Sequence, residues 1–168
     1  MNCPNCGTAV PDGAVYCPGC ASPVSAFGAG RSPNEVTREW LQDVLRKAGY
    51  DAKLSDTDAN TVIAPHPSRI NLVVTIRRNF GLITFQSWIN MKKPGWGQDK
   101  ALLVAVNEAN ASSWRNTYAL DKEGDLSLSA YIFLARALSD QDITHFLENA
   151  SDEFFTVVSA SGLRNFVK

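Results

Sequence analysis

Beyond position 20 the chain has no cysteine, and over its whole length it has only two histidines, His66 and His145. Thiolate chemistry is therefore confined to the first twenty residues, and imidazole chemistry to two positions beyond them. No G-x-S-x-G turn and no glycine-rich phosphate loop occurs, so the usual material for nucleophilic or acid–base catalysis is missing and no enzyme is expected. Neither charge is in excess: 16 Lys and Arg stand against 17 Asp and Glu, a formal net charge of -1. A balance of that kind removes the bulk attraction to nucleic acid or anionic lipid. Long hydrophobic runs are absent too. Stretches such as 101–106 and 130–135 fall far short of the roughly 20 apolar residues that cross a bilayer. The opening MNCPNC has neither a positive n-region nor an apolar h-region, which predicts a cytoplasmic protein without a secretory signal. In that compartment thiols stay reduced.

What is present begins with four cysteines. Cys3 and Cys6 form one C-x2-C pair, Cys17 and Cys20 another, with ten residues between the pairs. Each C-x2-C turn aims two thiolates at one ion, and two turns complete a closed sulfur tetrahedron around Zn2+ at about 2.3 Å. A redox dithiol of the thioredoxin type would open a helix in a βαβ unit, and no such unit follows. Val10, Val15 and Tyr16 supply too little core for a segment this small. Folding there requires the roughly 10 to 16 kcal/mol that structural zinc provides in small modules. Gly7 can take the positive φ that a tight exit from the first turn needs. Ala21 stands at the matching place in the second turn, which predicts a looser exit.

Residues 3–20 resemble the short CPxCG-type zinc ribbons found at the ends of many bacterial and archaeal proteins. Such modules serve nucleic-acid or protein contacts. Residues 1–24 contain Asp12 and no Lys or Arg, and four thiolates on zinc add two formal negative charges, so phosphate would be repelled and a protein contact or scaffolding is expected.

The predicted organisation is a ribbon over 1–22, a flexible linker over 23–33 and a larger domain over 34–162. The stretch ASPVSAFGAGRS has linker composition and a reach of about 20 Å, with Phe27 its one residue suited to docking. Ser32, Pro33 and Asn34 read as a helix start. Val36, Trp40, Leu41, Val44, Leu45 and Ala48 then recur at helical spacing up to Gly49. Residues 50–55, 61–64, 71–77 and 82–90 read as strands of an antiparallel meander, 98–112 as a helix, 117–120 and 126–133 as a hairpin, and 139–158 as a last helix. That helix opens on Ser139 with Asp142 three residues on. The expected class is α+β, in the order α-ββββ-α-ββ-α.

The capped first helix, the meander, the segment LVAVNEAN at 103–110, the hairpin around Gly124, Asp125 and Leu126, and the acidic-aromatic ASDEF at 150–154 together resemble the YbjN family of sensory-transduction-regulator-like proteins. That family is similar in fold to class I type III secretion chaperones. The resemblance implies a twisted antiparallel sheet with flanking helices, often dimeric, whose relatives bind polypeptide and catalyse nothing.

Among the conspicuous residues, His66 between prolines and His145 beside Phe146 read as surface or packing. Asp121, Glu123 and Asp125 read as a hairpin turn, because the twelve-residue spacing of a calcium loop is missing. Asn107 and Asn110 share a helix face, fit to tie a buried network or to line a groove. The loop at 91–97, with Lys92, Lys93 and Trp96, is the candidate partner-binding surface. Its bland reading is a tryptophan capping the sheet beside solvated lysines. With Arg77 and Arg78, the same loop is the only candidate nucleic-acid patch. The function expected is a non-enzymatic protein-binding or regulatory module, acting by strand addition or groove binding, as a homodimer or with another protein. A nucleic-acid-associated regulator is the alternative.

Overall fold

The computed structural model describes residues 2–3, 5–11, 14, 16–21, 30–92, 99–135 and 137–168. Helix α1 (Arg38–Lys47) starts later than the Ser-Pro-Asn reading placed it. Thr37 is its N-cap, accepting from the Trp40 amide at 3.2 Å. Ser32 and Glu35 instead close a turn just before it: the Glu35 carboxylate accepts from the Ser32 amide and hydroxyl. Four strands follow, β1 (Lys53–Leu54), β2 (Thr61–Ala64), β3 (Leu72–Arg77) and β4 (Leu82–Ile89). Helix α2 (Asp99–Ser112) leads to the hairpin of β5 (Thr117–Leu120) and β6 (Leu126–Phe133), and α3 (Asp140–Ala160) ends the main sequence of elements. Ser139 and Asp142 form the reciprocal capping box read from the sequence.

The strands make one antiparallel sheet in the order β1-β2-β3-β4-β6-β5. Period-two alternation sends Val74, Ile83, Phe85, Leu128 and Ala130 inward, all nearly fully buried. Against this face pack two apolar clusters. One joins α1 and the first four strands to Ile143 and Leu147 of α3; the other joins α2 and the hairpin to Phe154, Val157 and Val158. At about 1.5 Å per residue, the 21-residue α3 is about 30 Å long, enough to serve both clusters. Leu163, wholly buried, and a bridge from Met91 to Val167 carry the packing past residue 162.

Residues 22–29, most of the expected linker including Phe27, lie outside the described residues. Residues 30–33 are bonded into the domain rather than loose. Arg31 and Leu138 exchange backbone bonds of 2.7 and 2.9 Å, the Arg31 guanidinium sits 5.6 Å from the Trp40 ring, and Arg78 holds the Pro33 carbonyl. Composition does not contain these contacts, because the anchors Arg78 and Leu138 lie far along the chain. No helix among the described residues is long and apolar enough to cross a membrane.

Candidate metal centre and partner-binding surface

The four thiol sulfurs of Cys3, Cys6, Cys17 and Cys20 all lie within 4.8 Å of one another. Cys3 and Cys20 are 3.7 Å apart, Cys6 and Cys17 3.5 Å. A tetrahedron with metal–sulfur bonds of about 2.3 Å has edges of about 3.8 Å, so the cluster has the size of a four-thiolate zinc site. Each turn is closed in the same way. The Gly7 amide donates to Cys3 O at 2.8 Å and the Ala21 amide to Cys17 O at 2.9 Å. The looser second exit does not occur: Ala21 adopts φ +54°, the same left-handed region as Gly7 at +72°. Closing the turn forces that conformation whichever residue is there.

Backbone and side-chain donors turn toward the sulfurs, with the Gly19 amide 3.3 Å from Cys17 Sγ and Asn5 Nδ2 3.6 Å from Cys20 Sγ. Cys3 and Cys17 are buried with Val10 in a small cluster of their own. Burial pushes the Cys17 thiol up to about 11, whereas the hydrogen bond to the Thr8 hydroxyl lowers Cys6. A buried thiolate among three others therefore needs a cation beside it. The two turns also touch directly. A Cβ built on Gly19 would clash with the Thr8 hydroxyl oxygen.

In the larger domain the expected contact loop divides. Lys93 and Trp96 lie outside the described residues. Lys92 is exposed, and its amide donates to Phe166 O at 2.6 Å. The expected cationic patch is spread out. Arg77 pairs in register with Leu82 at one end of β4, whereas Lys92 follows Ile89 at the other, roughly 23 Å away at about 3.3 Å per residue. Arg78 is occupied in holding the chain before α1, donating to Pro33 O at 3.1 Å and Val36 O at 2.7 Å.

A different surface emerges on the sheet. Its outward face carries Ile63, Trp88, Tyr131 and Phe133, all about half exposed, with the Tyr131 and Phe133 rings 5.3 Å apart. None of the six strands contains an Asp or Glu. Beside β6 a groove of about 550 Å³ is lined by Tyr131, Arg115, His145, Phe146 and Asn149 among others. Sequence reasoning missed this surface. The exposed aromatics of β6 were visible only as half of an alternating pattern whose buried half was not yet known.

It also missed Glu153. One carboxylate oxygen accepts from the amides of Trp114 at 2.8 Å, Arg115 at 3.1 Å and Asn116 at 3.4 Å, and from the Ser113 hydroxyl. Burial alone would raise this carboxyl, but those donors outweigh it and hold the group below its ordinary value. Glu153 thereby fixes where the chain leaves α2 and where β5 begins. Asn110 is the member of the N-x-x-N pair that acts. Its side-chain amide accepts from the Tyr118 amide and donates to Tyr118 O, both at 2.8 Å; Asn107 and Asn110 are both exposed.

Fold and thiol cluster together define a zinc-ribbon segment joined to an α+β domain whose sheet has helices on one face. The YbjN family model, described as a putative bacterial sensory transduction regulator, matches residues 37–160, and a zinc-ribbon domain model matches residues 2–24. The chain belongs to the YbjN family. Among solved structures it is similar to YbjN of E. coli, described as a putative transcription regulator, with 12% identity over 77% of this chain and 94% of that one and a TM-score of 0.59. A second similar structure is the heterodimeric ExoU–SpcU complex of the Pseudomonas aeruginosa type III secretion system, at 16% identity, 72% and 96% coverage and a TM-score of 0.49. No curated protein sequence matches the chain.

Proposed function

We propose that the chain is a non-enzymatic polypeptide-binding module, cytoplasmic, with one structural Zn2+ held by Cys3, Cys6, Cys17 and Cys20. The observation that carries the reading is the open aromatic face, with Trp88, Tyr131 and Phe133 about half exposed on a sheet free of acidic side chains. Exposed aromatics of this kind are characteristic of contact surfaces. Zinc would hold the two turns of the ribbon together, and four thiolates leave no open position for a reacting water. The ribbon over 1–22 and the domain over 34–162, extended by residues 30–33 and 163–168, are two modules on one chain. The nucleic-acid alternative loses support because Arg78 is engaged internally and the Arg77 and Lys92 ends of the sheet are far apart.

Linear peptides selected from a random display library against the full-length, zinc-loaded chain test the reading. Selected peptides are expected to bind in solution and to lose at least about tenfold in affinity with Trp88→Glu or Phe133→Glu, at unchanged thermal stability. Failure to select any binder, together with oligonucleotide binding that falls steeply with salt, would move the function to the nucleic-acid reading.

A further inference from the structure

Apart from the outer sides of the edge strands β1 and β5, the sheet has a stretch of β6 edge with no strand paired to it among the described residues. β6 is eight residues long and pairs along its full length with β4, but β5 spans four residues and meets only positions 126–129. Among the described residues, no strand lies beside 130–133 on that side. The ladder's alternation decides which groups are left. The Leu134 amide donates to Gly81 O at 2.7 Å. Two residues earlier, Ile132 therefore faces β4 as well, and the amide and carbonyl groups of Tyr131 and Phe133 point away from it, toward the vacant side.

Elsewhere on the sheet margin several outward backbone groups are already taken. On β5, the outward amide and carbonyl of Tyr118 are both taken by Asn110. On the β1 side, Gln42 and Arg46 of α1 donate to Ala52 O at 3.1 and 3.0 Å, and Arg38 to Ser55 O at 3.3 Å. Blocking of this kind is how proteins prevent unwanted strand addition. The edge at 130–133 lacks it. Instead it opens on the groove of about 550 Å³ whose far wall is the first turns of α3, with Asp142, His145, Phe146 and Asn149. The chain cannot fill the gap itself, because Glu153 and the Asn116 side chain, bonded to Ala150 O at 2.9 Å, hold the entry to β5 in place.

We propose that this groove takes an extended polypeptide segment of four to five residues as an added strand antiparallel to β6. This rests on the polypeptide-binding reading above and names its partner. Amide and carbonyl groups repeating every second residue are matched by another extended peptide backbone and by no nucleic acid. Such a segment would run in the same direction as β5, so its C-terminal end reaches Arg115. The Arg115 guanidinium is about half exposed and loosely paired, 3.8 Å from the Glu153 carboxylate. The segment accordingly carries apolar side chains against Tyr131 and Phe146 and an acidic side chain or free carboxylate at its C-terminal end.

The test uses library-selected peptides bound to the full-length, zinc-loaded chain. Methylating peptide amides at one alternate set of positions is expected to weaken binding by about tenfold or more per site, and at the other set by no more than about twofold. Hydrogen exchange at the Tyr131 and Phe133 amides slows on binding. Arg115→Glu weakens peptides with an acidic end and not their neutral counterparts, and Tyr131→Pro, which removes an outward donor along with the ring, weakens all of them by more than Tyr131→Leu, which removes the ring alone. Uniform response to methylation, or unprotected 131 and 133 amides in the bound state, overturns the groove while leaving polypeptide binding intact. Absence of any selected binder overturns both. A concentration-dependent dimer that protects the same amides without peptide overturns the proposal in favour of a second copy as occupant.

Discussion

Ala21 holds at φ +54° a left-handed conformation that Gly7 holds at the matching turn. For a residue with a Cβ that conformation costs about 1 to 2 kcal/mol, and glycine's greater freedom in the unfolded chain returns part of it. Ala21→Gly is therefore expected to tighten zinc binding by roughly two- to fivefold in a competition titration with a chromophoric chelator. An unchanged affinity would show that the ribbon tolerates the strain at no cost. Gly19→Ala acts oppositely, because the added methyl meets Thr8. At Glu153 the prediction concerns pH. Its folded carboxyl lies below its ordinary value, so its contribution is fully present above the unfolded pKa near 4.3 and is lost as pH falls through the folded value. Urea unfolding of Glu153→Gln should show a deficit of about 1.5 to 3 kcal/mol at pH 7, and the gap should narrow at pH 3.5. A gap that stays constant would mean the charge is not what anchors residues 113–116.

At the scale of elements, the sheet's margins matter more than its centre. Asn110 of α2 occupies both outward backbone groups of Tyr118. Asn110→Ala is expected to cost about 1 to 2 kcal/mol in chemical denaturation and to produce concentration-dependent association in sedimentation velocity, as an unblocked edge becomes available. Destabilisation with a strictly monomeric protein would reduce Asn110 to a packing role. Helix α3 links the two apolar clusters and reaches α1 through Asp140, which accepts from Trp40 Nε1 and Lys47 Nζ, both at 2.7 Å. The same helix lines the groove beside β6, so the element that stabilises the core also shapes the candidate binding site.

For the whole molecule, the small cluster of Cys3, Val10 and Cys17 shares no residue with the two clusters of the larger domain. Its folding free energy has to come from the metal. Chelation should erase the ordered signals of residues 2–21 in a heteronuclear spectrum, while the thermal transition of the domain moves by less than about 2 °C. A large shift would reveal that the ribbon is a working part of the domain's core.

The four-cysteine cluster, the α+β order and most element boundaries were legible in the sequence because they depend on neighbours a few positions apart. The C-x2-C spacing, the capping box of Ser139 and Asp142, and the period-two runs of β4 and β6 are all of this kind. The tertiary structure alone decided the rest. Residues 30–33 read as linker until Leu138 and Arg78 were seen to hold them. Cations that looked like a patch along the chain fell at opposite ends of an eight-residue strand. The open edge of β6 exists because Glu153 holds residues 113–116 just ahead of β5, across a separation of up to 40 residues. Local periodicity specifies which faces are apolar, whereas grooves and free edges arise from register between distant segments, and a linear pattern does not contain that register.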